Sequence, residues 1–195
     1  MILGLDISTS ITGITILNDN GSIIYCDHVD MRKEKNFFKK ANMIEEKLAL
    51  IDYNFKINKV YIEQPFTFFK SGGSSGATMA ILQKFNGVVS WQCYKVFGKE
   101  PEYLTAHEAR KLVGIKTPRG QKAKKVVMDF MVDNVEDFKV QYTRYGNPSP
   151  GYADRADSYV IAKAGWLNET KETKDTMTMR QEIAFMRLVD CLRTV

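Results

Sequence analysis

No stretch of the chain approaches the roughly 20 consecutive apolar residues that a membrane-spanning helix needs. Nor does the start resemble a secretory leader: it carries no basic segment, and Asp6 with Ser8, Thr9 and Ser10 interrupts its apolar run. A cytoplasmic protein with no membrane partner is the expectation. Cysteine is scarce, and the three present, Cys26, Cys93 and Cys191, are odd in number and scattered. That spacing excludes a disulfide framework and gives no zinc-binding pattern. Histidine is rarer still, and His28 and His107 read as structural side chains rather than metal ligands. What is present is ordinary for a folded protein: 44% hydrophobic and 26% charged residues over a length of 195. Such a length supports one domain with a single core and leaves no room for two large lobes. The net charge of +5 suits a polyanionic partner, although many proteins with such a balance bind none, so the location of the charge has to decide.

Alternating apolar residues predict strands over 2–7, 12–17 and 22–26, with Gly13 and the Asn18-Asp19-Asn20-Gly21 cluster supplying turns in an antiparallel meander. Phe37, Ala41, Ile44, Leu48 and Ile51 recur at spacings of three and four, which predicts a helix over 36–51. Val60-Tyr61-Ile62 is a short strand ending at Glu63, followed by a Gly/Ser loop over 70–75 and a long, well-buried helix over 77–96. A strand at 102–104 leads into Thr105-Ala106-His107-Glu108, a capping box that starts a short helix stopping near Gly114. Further helices are predicted over 123–134 and 152–166, separated by the Gly146-Asn147-Pro148-Ser149-Pro150-Gly151 breaker. Residues 168–175 read as a polar linker. An amphipathic helix carrying Met179, Ile183, Met186, Val189 and Leu192 then closes the chain. The expected organisation is one α/β unit over 1–167 with an appendage over 168–195.

Four carboxylates stand out against this frame. Asp6 puts a charge into a strand otherwise built for burial, opposite the face of Leu3, Leu5 and Ile7. Taken alone, an acid at a strand end is more often a turn former or a solvated group. Glu63 repeats the oddity at the end of a strand that can lie parallel to the first, which would bring both acids to one edge. Asp154 and Asp157 are three apart and share a helix face, though acids in a first helical turn are favoured by the helix dipole without any function. Together, three separate elements deliver acid to one edge of the sheet, and such clustered charge is costly unless a cation neutralises it. Carboxylate oxygens match Mg²⁺ or Mn²⁺. A pair of such ions about 4 Å apart activates water, orients a phosphate and stabilises a leaving 3′ oxygen.

Gly4-Leu5-Asp6-Ile7-Ser8-Thr9-Ser10 with Gly13, then Tyr61-Ile62-Glu63-Gln64-Pro65-Phe66, then Ala153-Asp154-Arg155-Ala156-Asp157, resembles the RuvC family of Holliday-junction resolvases. The resemblance spans residues 2 to about 165, including the segment from Thr105 through the lysines of 120–131. It implies an α/β fold of the ribonuclease H-like type, a central mixed five-stranded sheet flanked by helices. It also implies a Mg²⁺-dependent endonuclease of DNA recombination and repair, with two metal ions and no small-molecule cofactor. Asp6, Glu63, Asp154 and Asp157 match the family's metal-binding, catalytic acids. A homodimer cutting branched DNA follows from the same resemblance, built on the helix over 77–96, whose apolar content exceeds one buried stripe. Pro65 and the Gly72-Gly73 loop depart from the pattern. The opening strand also resembles the first phosphate loop of sugar kinases and actin, but that fold needs two lobes. A third alternative is a branched-DNA-binding module without catalysis, against which the four intact acids argue.

The stretch from Arg110 to Lys125 holds Arg110, Lys111, Lys116, Arg119, Lys122, Lys124 and Lys125 with no acid among them. Beside a nuclease motif it reads as a phosphate-contacting face, of which Arg119, Lys122, Lys124 and Lys125 are the leading candidates. Phe66, Phe69 and Lys70, close after Glu63, are candidates for contact with DNA at the crossover. Replacing Lys122, Lys124 and Lys125 together with alanine is expected to flatten the slope of log affinity against log salt, by roughly 0.9 for each phosphate that is no longer neutralised. A titration of fluorescent DNA at several salt concentrations measures it, and an unchanged slope would return these lysines to the ordinary solvated surface.

Overall fold

β1 (Ile2–Asp6), β2 (Ile11–Leu17) and β3 (Ile23–Asp30) form the expected antiparallel meander, in a computed structural model that describes residues 1–65 and 75–193 and, except at 177 and 181–193, their side chains. α1 (Phe37–Asn54), capped by the Asn36 side chain, returns the chain to β4 (Lys59–Glu63). α2 (Gly76–Phe97), β5 (Glu102–Leu104), α3 (Ala106–Val113), α4 (Ala123–Asn134) and α5 (Tyr152–Arg193) follow. The five strands make one mixed sheet in the order β3-β2-β1-β4-β5, with β4 parallel to both β1 and β5. The Gly/Ser loop lies, but for Ser75, outside the described residues. No described helix is long and apolar enough to cross a membrane.

Alternation along the strands divides the interior into two cores. Leu3, Leu5 and Ile7 of the β1 segment join Ile14 and Ile16 of β2 and Val60 and Ile62 of β4 beneath α1 and α2, against Ile44, Leu48, Phe85 and Val89. The opposite face, with Ile2, Leu17 and Tyr61, packs on α5, α3 and α4 through Ala109, Val127, Met131, Val160, Ile161 and Ala162. Gly4 and Asp6 belong to this second face by their position in the strand.

On that face the helix lies unusually near the sheet. A Cβ on Gly4 would sit 2.5 Å from the Ala162 nitrogen, and one on Gly13 would sit 1.9 Å from the Asp154 carbonyl oxygen. Between these two points the buried hydroxyls of Thr15 and Ser158 meet at 2.9 Å. Farther along, Gly165 presents its bare backbone to the Tyr61 ring, and the Tyr61 hydroxyl donates to Glu169 Oε1 at 2.8 Å. Small residues on both partners therefore let α5 rest on main chain.

Three sequence expectations change here. Gly13 is no turn residue: it lies inside β2, paired with Asp6 and His28, and is needed because α5 fills the space its side chain would take. β3 runs on past Cys26 to Asp30, its outer half-polar residues hiding the alternation at the sheet edge. The polar linker expected at 168–175 is helix instead, continuous with α5 to Arg193. No glycine or proline interrupts 166–193, and Thr170, Thr173 and Thr178 turn their hydroxyls back onto carbonyls four residues earlier.

Gly13→Ala is expected to destabilise the protein by roughly 3 kcal/mol or more, since the new methyl meets backbone that can yield only if α5 shifts. Calorimetry would record a fall in Tm of roughly 6–12 °C; an unchanged Tm would show that the helix has room to move.

Candidate active site

Asp6 and Glu63 are the last residues of β1 and β4, parallel neighbours whose preceding residues, Leu5 and Ile62, are paired in register. Both acids therefore leave the sheet at the same edge. Asp154 lies in the first turn of α5, held by the approach of its own carbonyl to Gly13, the cross-strand partner of Asp6. Asp157 follows one turn later on the same side of the helix. Asn86 of α2 donates to the Glu63 carbonyl at 3.2 Å and steadies the end of β4.

Electrostatics registers how close the four come. Burial, then repulsion from Glu63, Asp157 and Asp154, pushes the Asp6 carboxyl well above the usual carboxylate range, against a smaller lowering by Lys124. Burial first and Asp157 second raise Glu63 to about 7, opposed by Arg110 and Lys124. Asp157 rises to about 6, mainly through burial, with Asp154 adding to the rise while Lys124 and Arg110 oppose it. Each of these acids nevertheless keeps some surface open to solvent. The site thus combines partly enclosed acids, mutual repulsion and incomplete compensation by two bases.

Of the candidate phosphate-binding residues, Lys124 is the one drawn to the acids, its Nζ 3.9 Å from Asp154 Oδ1. Lys125 pairs along α4 with Asp129 at 2.6 Å, whereas Arg119 and Lys122 are exposed just before and at the start of that helix. Phe66, Phe69 and Lys70 lie outside the described residues. Arg110 is the addition: the basic run contained it without distinguishing it, and the signal lay in topology. Its helix follows β5, the parallel neighbour of β4, so α3 begins at the edge where Glu63 ends. Arg110 also lines an open cleft of about 450 Å³ with His107, Lys111 and Lys116.

The donor set is all carboxylate, which suits a hard divalent cation and would relieve the repulsion that raises Asp6 and Glu63. Among the described residues, however, no three acid, histidine or cysteine side chains are already gathered into a ligand group. Fit to a metal therefore rests on donor chemistry and charge.

A five-stranded mixed sheet in this order, with acids at the ends of β1 and β4 and at the head of α5, defines the chain as α/β of the ribonuclease H-like type. Within that class its fold is RuvC-like. It superposes on Thermus thermophilus RuvC in complex with a Holliday junction substrate with a TM-score of 0.61 at 13% identity, over 87% of this chain and 94% of that one. A structure of Thermus thermophilus RuvC gives 0.57 at 16% identity, over 88% and 96%. The crystal structure of the yeast mitochondrial Holliday junction resolvase gives 0.58 at 12% identity, over 91% and 83%. No family model and no curated protein sequence matches the chain.

The raised acids have a consequence for stability. A carboxyl whose folded pKa exceeds its unfolded value favours folding at low pH and loses that contribution as pH rises through the folded pKa. For Glu63 the window runs from about 4.5 to about 7. In chelator, Glu63→Gln is expected to match the parent protein near pH 4 and to exceed it by pH 8. The gain should be on the order of 1–3 kcal/mol, after allowance for the solvent the side chain still meets. Urea unfolding across that range measures the difference, and a constant gap at all pH values would show that Glu63 is not strained by charge.

Proposed function

We propose that the chain is an endonuclease that hydrolyses phosphodiester bonds in four-way or other branched DNA. The observation that carries this reading is the delivery of Asp6, Glu63, Asp154 and Asp157 to one sheet edge by three different elements, where burial and then mutual repulsion raise the proton affinities of Asp6, Glu63 and Asp157. The neighbour bound to a Holliday junction supports the choice of substrate. Residues 1–167 would form the nuclease unit, and the remainder of α5 an appendage to it. A cytoplasmic role in DNA recombination and repair follows from the same reading.

Asp6, Glu63, Asp154 and Asp157 would hold two Mg²⁺ ions, for which Mn²⁺ can substitute. When bound, such ions orient the phosphate, activate water and stabilise the departing 3′ oxygen. The protein's own part is placement. Gly13 and Gly4 fix the height of α5 over β1, so that Asp154 and Asp157 face Asp6 and Glu63. Lys124 and Arg110 border the acids, where they can hold phosphate oxygens on either side of the reacting one. Exposed Arg119 and Lys122 would extend that hold along the backbone, positioning DNA without reading its sequence.

Resolution of a four-way junction needs matched nicks in two opposed strands, which one site cannot deliver together. A two-fold homodimer supplies both. Its supporting feature is the outward side of α2, where Ile81, Trp91 and Tyr94 are each at least half exposed and Gly87 has open space above it.

With Mg²⁺, the protein is expected to nick a labelled four-way junction in preference to linear duplex. Asp6→Asn should lower the rate by more than the roughly 10–100-fold that removal of a mere supporting group costs, while leaving junction binding in Ca²⁺ intact. Cutting by Asp6→Asn at near the parental rate, or full activity after exhaustive chelation, would overturn the mechanism. Paired nicks within one encounter, with a dimer in light scattering, are the outcome expected for the homodimer. Independent single nicks by a monomer would remove that part alone.

A further inference from the structure

The breaker segment before α5 is a built hairpin. Thr143 N donates to the Asn147 carbonyl at 2.7 Å, Gly146 N to the Thr143 carbonyl at 2.9 Å, and Ser149 N to the Gln141 carbonyl at 2.8 Å; Tyr142 and Pro148 form an antiparallel bridge. This is a three-residue hairpin loop of the kind that needs a left-handed residue after its turn, and Gly146, with φ of 77°, supplies it. Arg144 and Tyr145 occupy the tip. The stems are pinned to the helix that carries the acids: the Phe138 and Tyr152 rings lie 5.3 Å apart, and the nearly buried Arg155 stacks its guanidinium over Phe138 and donates to the Lys139 carbonyl.

What this hairpin presents is aromatic and basic. Tyr142 is 62% exposed and Tyr145 is 74% exposed, and the Arg144 guanidinium lies 4.6 Å from the centre of the Tyr145 ring. Between Asp137 and Asp154 there is no acidic residue, while Lys139 and Arg144 contribute positive charge. Both rings stand on the same hydrogen-bonded turn, with Arg144 between them in the sequence. Rings interleaved with cations are the composition that binds unstacked bases, because every base offers a face for stacking and the phosphate beside it offers a partner for the cation. A protein partner of acidic character would meet the same charge, but not the placement. The arm from Tyr145 back to Ser149 reaches roughly 13 Å, about four base steps at roughly 3.4 Å each, and it ends where α5 begins, at Tyr152 N on the Ser149 carbonyl.

We infer that residues 141–149 form a second DNA-contacting element, in which Tyr142 and Tyr145 stack on unpaired or unstacked bases at the branch, a few nucleotides from the phosphate held at the acids. The inference rests on the nuclease reading and adds to it the part of the molecule that distinguishes a branch from a continuous duplex.

The test uses the full chain with Ca²⁺ in place of Mg²⁺, a four-way junction carrying 2-aminopurine at the crossover, and a linear duplex of equal length. Replacing Tyr142 and Tyr145 together with leucine is expected to weaken junction binding about 5- to 100-fold, to abolish the change in 2-aminopurine fluorescence, and to leave duplex binding within about two-fold. The double phenylalanine variant, which keeps the rings, should behave like the parent. Should the leucine pair lower Tm, the single Tyr145→Leu at the exposed tip carries the same test. Junction binding unaffected by leucine, or an equal loss on junction and duplex, would overturn the proposal. Loss of self-association in light scattering with DNA binding intact would also overturn it and assign the hairpin to a protein interface. Mg²⁺-dependent nicking by the parent protein is scored separately. Its absence would refute the nuclease reading, whereas its presence beside an inert hairpin would refute this inference alone.

Discussion

The interaction on which the site depends is that of α5 with the bare backbone of β1 and β2. Where helix and sheet meet through side chains, rotamer changes absorb small displacements. At Gly4 and Gly13 nothing intervenes, and the main chain of Ala162 and of Asp154 stands where a Cβ would be. The buried Thr15–Ser158 hydroxyl pair lies between these points and fixes the position along the helix axis. Asp154 is thereby set opposite Asp6 by main-chain packing, and Asp157 by the pitch of the helix.

This arrangement runs against the stability of the protein that contains it. Asp6, Glu63 and Asp157 are partly enclosed and repel one another, so each holds its proton more tightly than an ordinary carboxyl. Lys124 and Arg110 offset only part of that repulsion. The two apolar cores on either face of the sheet, with Leu3, Leu5, Phe85 and Leu48 on one side and Tyr61, Met131 and Ile161 on the other, carry the stability that the acidic edge lacks. The placement of the acids is a matter of topology: parallel β1 and β4 bring two strand ends to one edge, and the helix start meets them there.

Most of the elements, and the positions of Asp6, Glu63, Asp154 and Asp157 at two strand ends and the start of a helix, could be read from the sequence, because each depends on local pattern. Period-two alternation marked β1, a short apolar run marked β4, the i, i+3, i+4 spacing marked α1, and Thr105 with Glu108 marked the start of α3. Two of the misreadings have another cause, which is dependence on distant partners. Gly13 looks like a turn until the helix that occupies its space is known, and Arg110 looks like one base among many until α3 is packed against α5. Residues 168–175 look like a linker because their polarity outweighs, to the eye, the absence of any helix breaker. The segment at 146–151 was legible as a break between helices, but its hydrogen-bonded hairpin and exposed tyrosines were not, since they arise from pairing across the turn.

The close approaches at glycine also bear on how such a protein can drift. A packing requirement met by side chains restricts identity, and sequence comparison is sensitive to it. A requirement that nothing project from Gly4 or Gly13 is met by the absence of a side chain, so at these points the architecture is guarded by vacancies. At these two spots the fold requires an empty volume, which no choice of side chain can supply.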